Sequence, residues 1–317
     1  MQAVFLDYAT MGPGLDLAPL RRPFAALELF DATRADEVAA RIAGAEFVFT
    51  NKMRLSDELL HGASKLRFIG LTATGTDNID LASAKKHGIA VANIRDYCTQ
   101  SVVEHVIGSL LMLTHSLDRY NRSIRAGDWQ QATSFCMLTH PIRELAGMTL
   151  GIVGFGALGQ GVARAAAALG MQVLVAARPG CREIGAGRVA FDELLARADV
   201  ISLHCPLTDA TRGLFDASTF AKMRRGAILV NTARGALVDS NALVAALQSG
   251  HLFGAAIDVL ANEPPVAGDP LLDYAGDNLV LTPHIAWGTE RARQNAIDEL
   301  AANVLAFLQG ENRNRVV

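Results

Sequence analysis

One stretch restricts this chain more than any other: residues 149–178, TLGIVGFGALGQGVARAAAALGMQVLVAAR. An apolar run, Leu150 to Val153, gives way to Gly154-Phe155-Gly156-Ala157-Leu158-Gly159, then to an Ala-rich segment closed by Gly170, then to a second apolar run, Val173 to Ala177. That order reads as strand, glycine turn, helix, strand, a βαβ unit that commits the segment to a parallel sheet covered by helices. Each glycine has its own reason. Gly154 lets the chain turn sharply off the strand, Gly156 lets the backbone come close to a pyrophosphate, and Gly159 lets the helix pack onto the sheet. The helix N-terminus then presents free N–H groups and a partial positive charge to that anion. A glycine-rich turn without a ligand is the competing reading, but the complete βαβ context favours a dinucleotide.

At 317 residues, half of them apolar, the chain has material for about two domains with sizeable cores. The net charge is −3 and no run of Lys or Arg stands out, which argues against nucleic acid and anionic membranes as partners. No apolar stretch approaches the roughly 20 residues of a membrane span, and MQAVFLDYAT lacks the basic start of a secretory signal, so the expected location is the cytosol. Cys98, Cys136, Cys181 and Cys205 are scattered without a CxxC pair, which indicates neither a zinc site nor a disulfide framework. His204 and Cys205 are neighbours, but adjacent strand residues point to opposite faces, so core packing is the expected role of Cys205.

Before the fingerprint, Val4 to Leu6, Phe47 to Thr50, Phe68 to Thr72 and Ile89 to Ala92 read as buried strands, with helical spacing over Ala35 to Ala43 and Ser56 to Gly62 between them. Strands alternating with helices predict a first parallel α/β domain over residues 1–98. Two of its strand ends are chemically suggestive: Thr50-Asn51-Lys52, and the run from Thr72 through Thr74-Gly75 to Asp80. The Thr74-Gly75 N–H groups can form a nest for a small carboxylate; equally, Gly75 can serve only a tight turn while Asp77 or Asn78 caps the next helix. Ser101 to Tyr120 is apolar around nearly the whole helical circumference, which predicts a helix buried between domains or between subunits. Glu104 and His105 interrupt it, either facing a cofactor site or pairing at the helix start. Residues 121–148 read as a connecting excursion, with Trp129 anchoring it against the preceding helix. Further strands follow at Val200 to His204, Ala227 to Val230, Ala255 to Ile257 and Leu279 to Leu281, and a last helix over Glu290 to Leu308 is expected to return to the first domain.

In a parallel sheet the strand ends share one edge. There the fingerprint, Ala177-Arg178, Cys205-Pro206, Thr232-Ala233-Arg234-Gly235, Asp258 and Pro283-His284 converge on one ligand, with Thr211 shortly after its strand. Arg234 offers a planar fork that can hold a carboxylate and polarise the adjacent carbonyl. His284 can pass a proton to a developing alkoxide, and Glu263, set before Pro264-Pro265, can orient the imidazole and favour its protonated form. Singly, each has a plainer structural explanation; jointly they suit reduction of a carbonyl beside a carboxylate.

With those residues in view, the chain resembles the D-isomer-specific 2-hydroxyacid dehydrogenase family over essentially its full length. The likeness runs through TATGTDNIDLA (72–82), the fingerprint, NTARGALVD (231–239), GAAIDVLANEPP (254–265) and TPHIAW (282–287). Within the family it is most similar to the glycerate dehydrogenase (hydroxypyruvate reductase) group, through VFLDYAT, TNK, FCMLTHPIRELAG and the Trp after the His motif. The resemblance implies two Rossmann-like domains: a doubly wound NAD(P)-binding domain, 99–285, inserted into a flavodoxin-like substrate domain, 1–98 plus 286–317. It implies Arg234, Glu263 and His284 as the catalytic set, with Asn51, Thr74 and Gly75 joining Arg234 and His284 on the substrate. Gly154, Gly156, Ala157, Leu158, Gly159, Arg178, Cys205, Pro206, Thr211, Thr232, Ala233 and Asp258 are the implied cofactor contacts, Asp258 at the nicotinamide carboxamide. It also implies a 2-oxo or 2-hydroxy acid as the small-molecule partner, no metal, and a homodimer formed through the cofactor domain, which the apolar helix from Ser101 suits.

One departure matters. The second strand should end in an acidic residue for the adenosine ribose of NAD, and here Ala177-Arg178 stands in its place. Without the carboxylate a 2′-phosphate is not repelled, and Arg178 offers it a partner, so NADPH is expected to be preferred over NADH. The leading expectation is reduction of hydroxypyruvate to D-glycerate and of glyoxylate to glycolate. A reductase of bulkier 2-oxo acids is one alternative; a dinucleotide-sensing interaction protein, like the related transcriptional corepressors, is another.

Overall fold

The structure, a computed structural model, describes every residue except Pro179, Arg182 and Glu183. The chain forms two compact units, Met1–Cys98 with Gly288–Val317, and Thr99–Trp287. The return crossing falls two residues beyond the expected boundary because the end of the second unit is bonded back into it. Ala286 N donates to Asp258 Oδ2 at 2.9 Å and Trp287 Nε1 to the His284 carbonyl at 3.0 Å.

The first unit is built on five parallel strands, β1 (Gln2–Phe5), β2 (Ala26–Leu29), β3 (Phe47–Thr50), β4 (Phe68–Leu71) and β5 (Ala90–Ala92), in the order β2-β1-β3-β4-β5. Every residue of β3 and β4 is buried, which is why their apolar runs were readable in the sequence. Strand β2 was not: at the edge of the sheet it buries only Leu27, and the alternation in ALEL is too short to stand out as a strand. The helix expected after Gly75 is Leu81–Lys86, six residues long and capped by Asp80, whose carboxylate accepts from Ser83 N at 2.9 Å. The closing helix Glu290–Leu308 belongs to this unit, burying Ile297, Leu300 and Val304 and setting Phe307 against Phe47 and Phe68 at ring separations of 5.8 and 4.9 Å.

The second unit carries six parallel strands, β6 (Thr149–Val153), β7 (Gln172–Val175), β8 (Val200–Leu203), β9 (Ala227–Asn231), β10 (Leu252–Ile257) and β11 (Leu279–Leu281), ordered β11-β10-β9-β8-β6-β7. The chain order reverses between β6 and β8, and in such sheets the crevice at that reversal is where ligands bind.

The long apolar helix ends sooner than expected. It spans Thr99–Thr114 and stops, because Ser116 takes a left-handed conformation (φ 51°) and a second helix, Leu117–Arg125, starts after it. Within the single chain it is covered on one side. Val102, Val103, Val106, Leu110 and Leu113 pack inward against the Ala157–Ala168 helix and β10, while Glu104 and Gly108 face solvent. Trp129 is half exposed and its Nε1 donates to the Phe135 carbonyl at 3.1 Å, which braces the loop that follows it.

Candidate active site

The glycine turn is held by contacts no side chain would permit. Gly154 leaves β6 at φ +98°, and a Cβ there would lie 2.5 Å from both the Cys205 nitrogen and the His204 carbonyl carbon. Beside Gly156 nothing lies within 4 Å of the Cβ position, so the backbone is open to a ligand. The next helix, Ala157–Ala168, makes its first internal bond from Gln160 N to Gly156 O at 2.9 Å, which leaves the N–H groups of Ala157, Leu158 and Gly159 unclaimed. At the end of β9 the Thr232 hydroxyl is buried with no partner among the described residues. Open space, free amides and an orphaned hydroxyl along one sheet edge fit the polar atoms of a dinucleotide.

The remaining strand ends take different environments. Ala177 is buried and Arg178 exposed at the tip of β7, where Arg188 Nη1 donates to the Ala176 carbonyl at 2.9 Å and brings a second guanidinium that the sequence did not advertise. Cys205 packs half-buried on the core and burial pushes its thiol pKa up, while Pro206 is exposed. The Thr211 hydroxyl accepts from Thr208 N and contacts the Pro206 carbonyl, both at 2.8 Å, so it shapes the turn that carries Pro206. His204 bonds Ser202 Oγ through Nε2 at 2.9 Å, and its Nδ1 is shut away from solvent without a partner among the described residues. Burial lowers its pKa to about 4.

Arg234, Glu263 and His284 are tied together within the second unit. Asn231, fully buried at the end of β9, accepts from Ala233 N at 3.0 Å and donates to the Arg234 carbonyl at 2.9 Å, and this sets the turn. Arg234 Nη1 also donates to the Ala233 carbonyl at 2.8 Å. Gly235 lies so close to the Leu260–Ala261 backbone that a Cβ would overlap it, and this contact seats the Arg234 turn on the loop that carries Glu263. In that loop Glu263 Oε1 accepts from Leu260 N at 2.8 Å, leaving Oε2 to meet His284 Nδ1 at 2.6 Å. A carboxylate only accepts, so the proton sits on Nδ1 and Nε2 is the ring nitrogen turned outward. His284 itself is left-handed (φ 57°), a conformation a non-glycine residue keeps only where its surroundings hold it. Asp258 does much of that holding. Its carbonyl accepts from His284 N at 2.7 Å, and its buried carboxylate accepts from Thr282 Oγ1, Ile285 N and Ala286 N at 2.6, 2.8 and 2.9 Å.

In the first unit the residues expected on the substrate sit at the ends of β3 and β4. Asp7, which sequence reasoning passed over, is buried, and its carboxylate accepts from Asn51, Lys52 and Met53 N at 2.9, 2.7 and 3.2 Å and from the Thr50 hydroxyl at 3.1 Å. Asn51 Nδ2 donates to Thr10 Oγ1 at 3.2 Å. The Thr74 hydroxyl turns back to the Ile94 carbonyl at 3.0 Å, and the N–H groups of Thr74 and Gly75 donate to nothing among the described residues. Neither Asp77 nor Asn78 caps the following helix: Asp80 does, and Asn78 Nδ2 donates to the Met53 carbonyl at 2.9 Å. Glu104 and His105 do not pair either; Glu104 accepts from Gln100 Nε2 at 2.8 Å, while His105 Nε2 meets Thr282 Oγ1 at 3.2 Å.

The model of the D-isomer specific 2-hydroxyacid dehydrogenase NAD binding domain matches residues 107–286. A glycerate dehydrogenase of Methylorubrum extorquens is 43% identical over 284 residues, covering 89% of this chain and 88% of that one. A hydroxypyruvate reductase of Blautia hydrogenotrophica is 36% identical across 100% of this chain and 99% of its own. Among solved structures, an acyclic imino acid reductase in complex with NADPH and D-Arg superposes with a TM-score of 0.87 at 26% identity, both chains covered in full. Fold, strand-end residues and these likenesses agree, and the chain belongs to the D-isomer specific 2-hydroxyacid dehydrogenase family.

Proposed function

We propose that this oxidoreductase reduces hydroxypyruvate to D-glycerate and glyoxylate to glycolate, using NADPH in preference to NADH. The observation that carries the reading is the Glu263 Oε2–His284 Nδ1 contact of 2.6 Å, which engages Nδ1 and leaves Nε2 as the ring nitrogen for a substrate, while the Glu263 loop is packed against the turn that carries Arg234. A bound reduced nicotinamide supplies the hydride that ends on the substrate's C2. Arg234 holds the 2-oxo carboxylate and draws electron density toward the carbonyl oxygen. His284 enters the step as the imidazolium, with a second proton on Nε2. Nε2 delivers that proton to the carbonyl oxygen as the C2–H bond forms, the ring is left neutral with its remaining proton on Nδ1, and Glu263 keeps it oriented through the transfer. Asn51 and the N–H groups of Thr74 and Gly75 are assigned to the substrate, and Gly154 through Gly159, Cys205, Pro206, Thr211, Thr232, Ala233 and Asp258 to the cofactor.

The preference for NADPH rests on Ala177, where an acidic residue would repel a 2′-phosphate, and on the exposed Arg178 after it. The names of the Methylorubrum and Blautia relatives support the small substrates. A second reading is favoured by one feature: a cavity of about 470 Å³ bordered by Leu260, Pro264, Leu272 and Leu281 lies beside His284, with room for the apolar tail of a bulkier 2-oxo acid. A homodimer through the second unit is supported by apolar side chains exposed between residues 117 and 142, among them Phe135 at 90% and Leu138 at 78%.

Steady-state oxidation of NADPH and of NADH with hydroxypyruvate, glyoxylate and branched aliphatic 2-oxo acids tests all three points. The small acids and NADPH should give the higher kcat/KM. A higher value with the branched acids selects the second reading, and equal or better efficiency with NADH overturns the cofactor preference. His284→Ala should lower kcat by at least about 10²-fold, and a near-normal rate removes it from the proton-transfer role.

A further inference from the structure

We propose that His105 is a positioning residue for His284, acting through Thr282 and Asp258 to hold the left-handed turn from which the imidazole projects. The proposal rests on the reading of His284 as the proton donor. The geometry is a continuous polar chain inside the second unit. His105 Nε2 lies 3.2 Å from Thr282 Oγ1, which lies 2.6 Å from Asp258 Oδ1, and the Asp258 carboxylate accepts from Ile285 N and Ala286 N on the far side of His284.

The direction of each bond follows from valence. The Asp258 carboxylate has no proton to give, so the single Thr282 hydroxyl proton goes to it, and the Thr282 oxygen can then only accept from His105. His105 therefore carries a hydrogen on Nε2, and each donor in the series polarises the next. Asp258 Oδ1 is also only 3.9 Å from His105 Nε2. Glu104, the nearest acidic neighbour on the same helix, is turned to Gln100 and not to His105.

A second bond from the same helix shows that the contact is part of a grip and not an isolated pair. Ser101 stands one turn before His105, and its hydroxyl donates to the Ala286 carbonyl at 2.7 Å. Residues four apart share a helix face. The helix thus holds the His284 segment at both ends, Thr282 through His105 and Ala286 through Ser101, with the φ 57° residue between them. The backbone at His284 is sparsely populated for a residue with a Cβ, so it persists only while these bonds over-determine it. Releasing one end lets the turn relax and swings Nε2 away from the direction that the Glu263 contact alone would otherwise preserve.

The test compares His105→Leu, His105→Gln and Thr282→Val in the full chain. Leu removes the donor, Gln keeps an N–H at a similar reach, and Val removes the hydroxyl from the other side at nearly constant volume. Loss of the tether should lower kcat by about 10-fold with KM for the 2-oxo acid changed by less than about twofold, since an interaction that orients a reacting group acts on the transition state. Gln should recover kcat to within about threefold of the parent. Hydrogen exchange without cofactor or substrate gives a readout apart from turnover: the Ile285 and Ala286 amides should exchange about 10-fold faster in His105→Leu and Thr282→Val, and near the parent rate in His105→Gln. Unchanged kcat in both Leu and Val variants, or equal losses in Leu and Gln, overturns the proposal. So does faster exchange spread over the whole unit, which would mean a purely structural role. If His284→Ala abolishes turnover while His105→Leu does not, the tether fails and the proton donor stands; if His284→Ala leaves turnover intact, the reading of the site fails first.

Discussion

His204 makes the fold sensitive to acid in a way that can be worked through. Its residue surface is only partly covered, yet Nδ1 is out of reach of solvent and has no partner among the described residues, and burial lowers the pKa from 6.5 to about 4. Between those values the unfolded chain binds a proton at this imidazole that the native fold refuses. Protons then favour unfolding, so stability is complete above about pH 6.5 and falls as the pH drops toward 4. A difference of about 2.5 pH units at 1.36 kcal/mol each amounts to about 3 kcal/mol, a large share of a typical 5–15 kcal/mol. Urea unfolding followed by circular dichroism in steps from about pH 7.5 to 4.5, on the parent and on His204→Gln, isolates this contribution because the carboxylates titrate in both proteins. The parent should lose up to about 3 kcal/mol more than the variant across that window. Parallel stability curves, or an imidazole signal of His204 that titrates near pH 6.5 in the folded protein, would refute the reasoning.

Three further outcomes follow from other contacts. Gly235→Ala puts a methyl group into the Leu260 carbonyl, so the Arg234 turn must lift off the Glu263 loop; kcat/KM should fall by about 10²-fold, and parent-like kinetics would show that the contact is not what aligns them. Asp7→Asn replaces a buried acceptor of four hydrogen bonds with a group that offers N–H against N–H. It should cost about 2–3 kcal/mol in urea unfolding, and an unchanged midpoint would mean that the turn after β3 is held elsewhere. Phe135→Ser with Leu138→Ser removes two exposed apolar side chains; on the proposed dimer, sedimentation velocity should find the parent dimeric and the variant monomeric, whereas a monomeric parent refutes the dimer and a dimeric variant places its interface on another face.

What the sequence determined by itself was what depends on neighbours along the chain. Fully buried strands such as β3, β4, β8 and β9 stand out as apolar runs because both faces of a parallel sheet are covered. The glycine turn is legible because its three positions obey one local geometry. Strand β2 was not legible, because an edge strand buries one side chain, and the helix after Gly75 was expected with the wrong cap, because Asp77, Asn78 and Asp80 are equally able to cap and spacing does not choose between them. The break at Ser116 escaped for a related reason, since an apolar pattern says nothing of a single left-handed residue. The tertiary structure alone decided which polar atoms meet. Asp7 looks like an ordinary turn residue until distant backbone N–H groups converge on it, the carboxylate of Asp258 gives no sign of the Ile285 and Ala286 amides it accepts from, and Gly235 looks like any loop glycine until Leu260 is found against it. Hydrogen bonds and close approaches depend on distances of a few tenths of an ångström between segments far apart in the chain, and one-dimensional spacing carries no record of those distances.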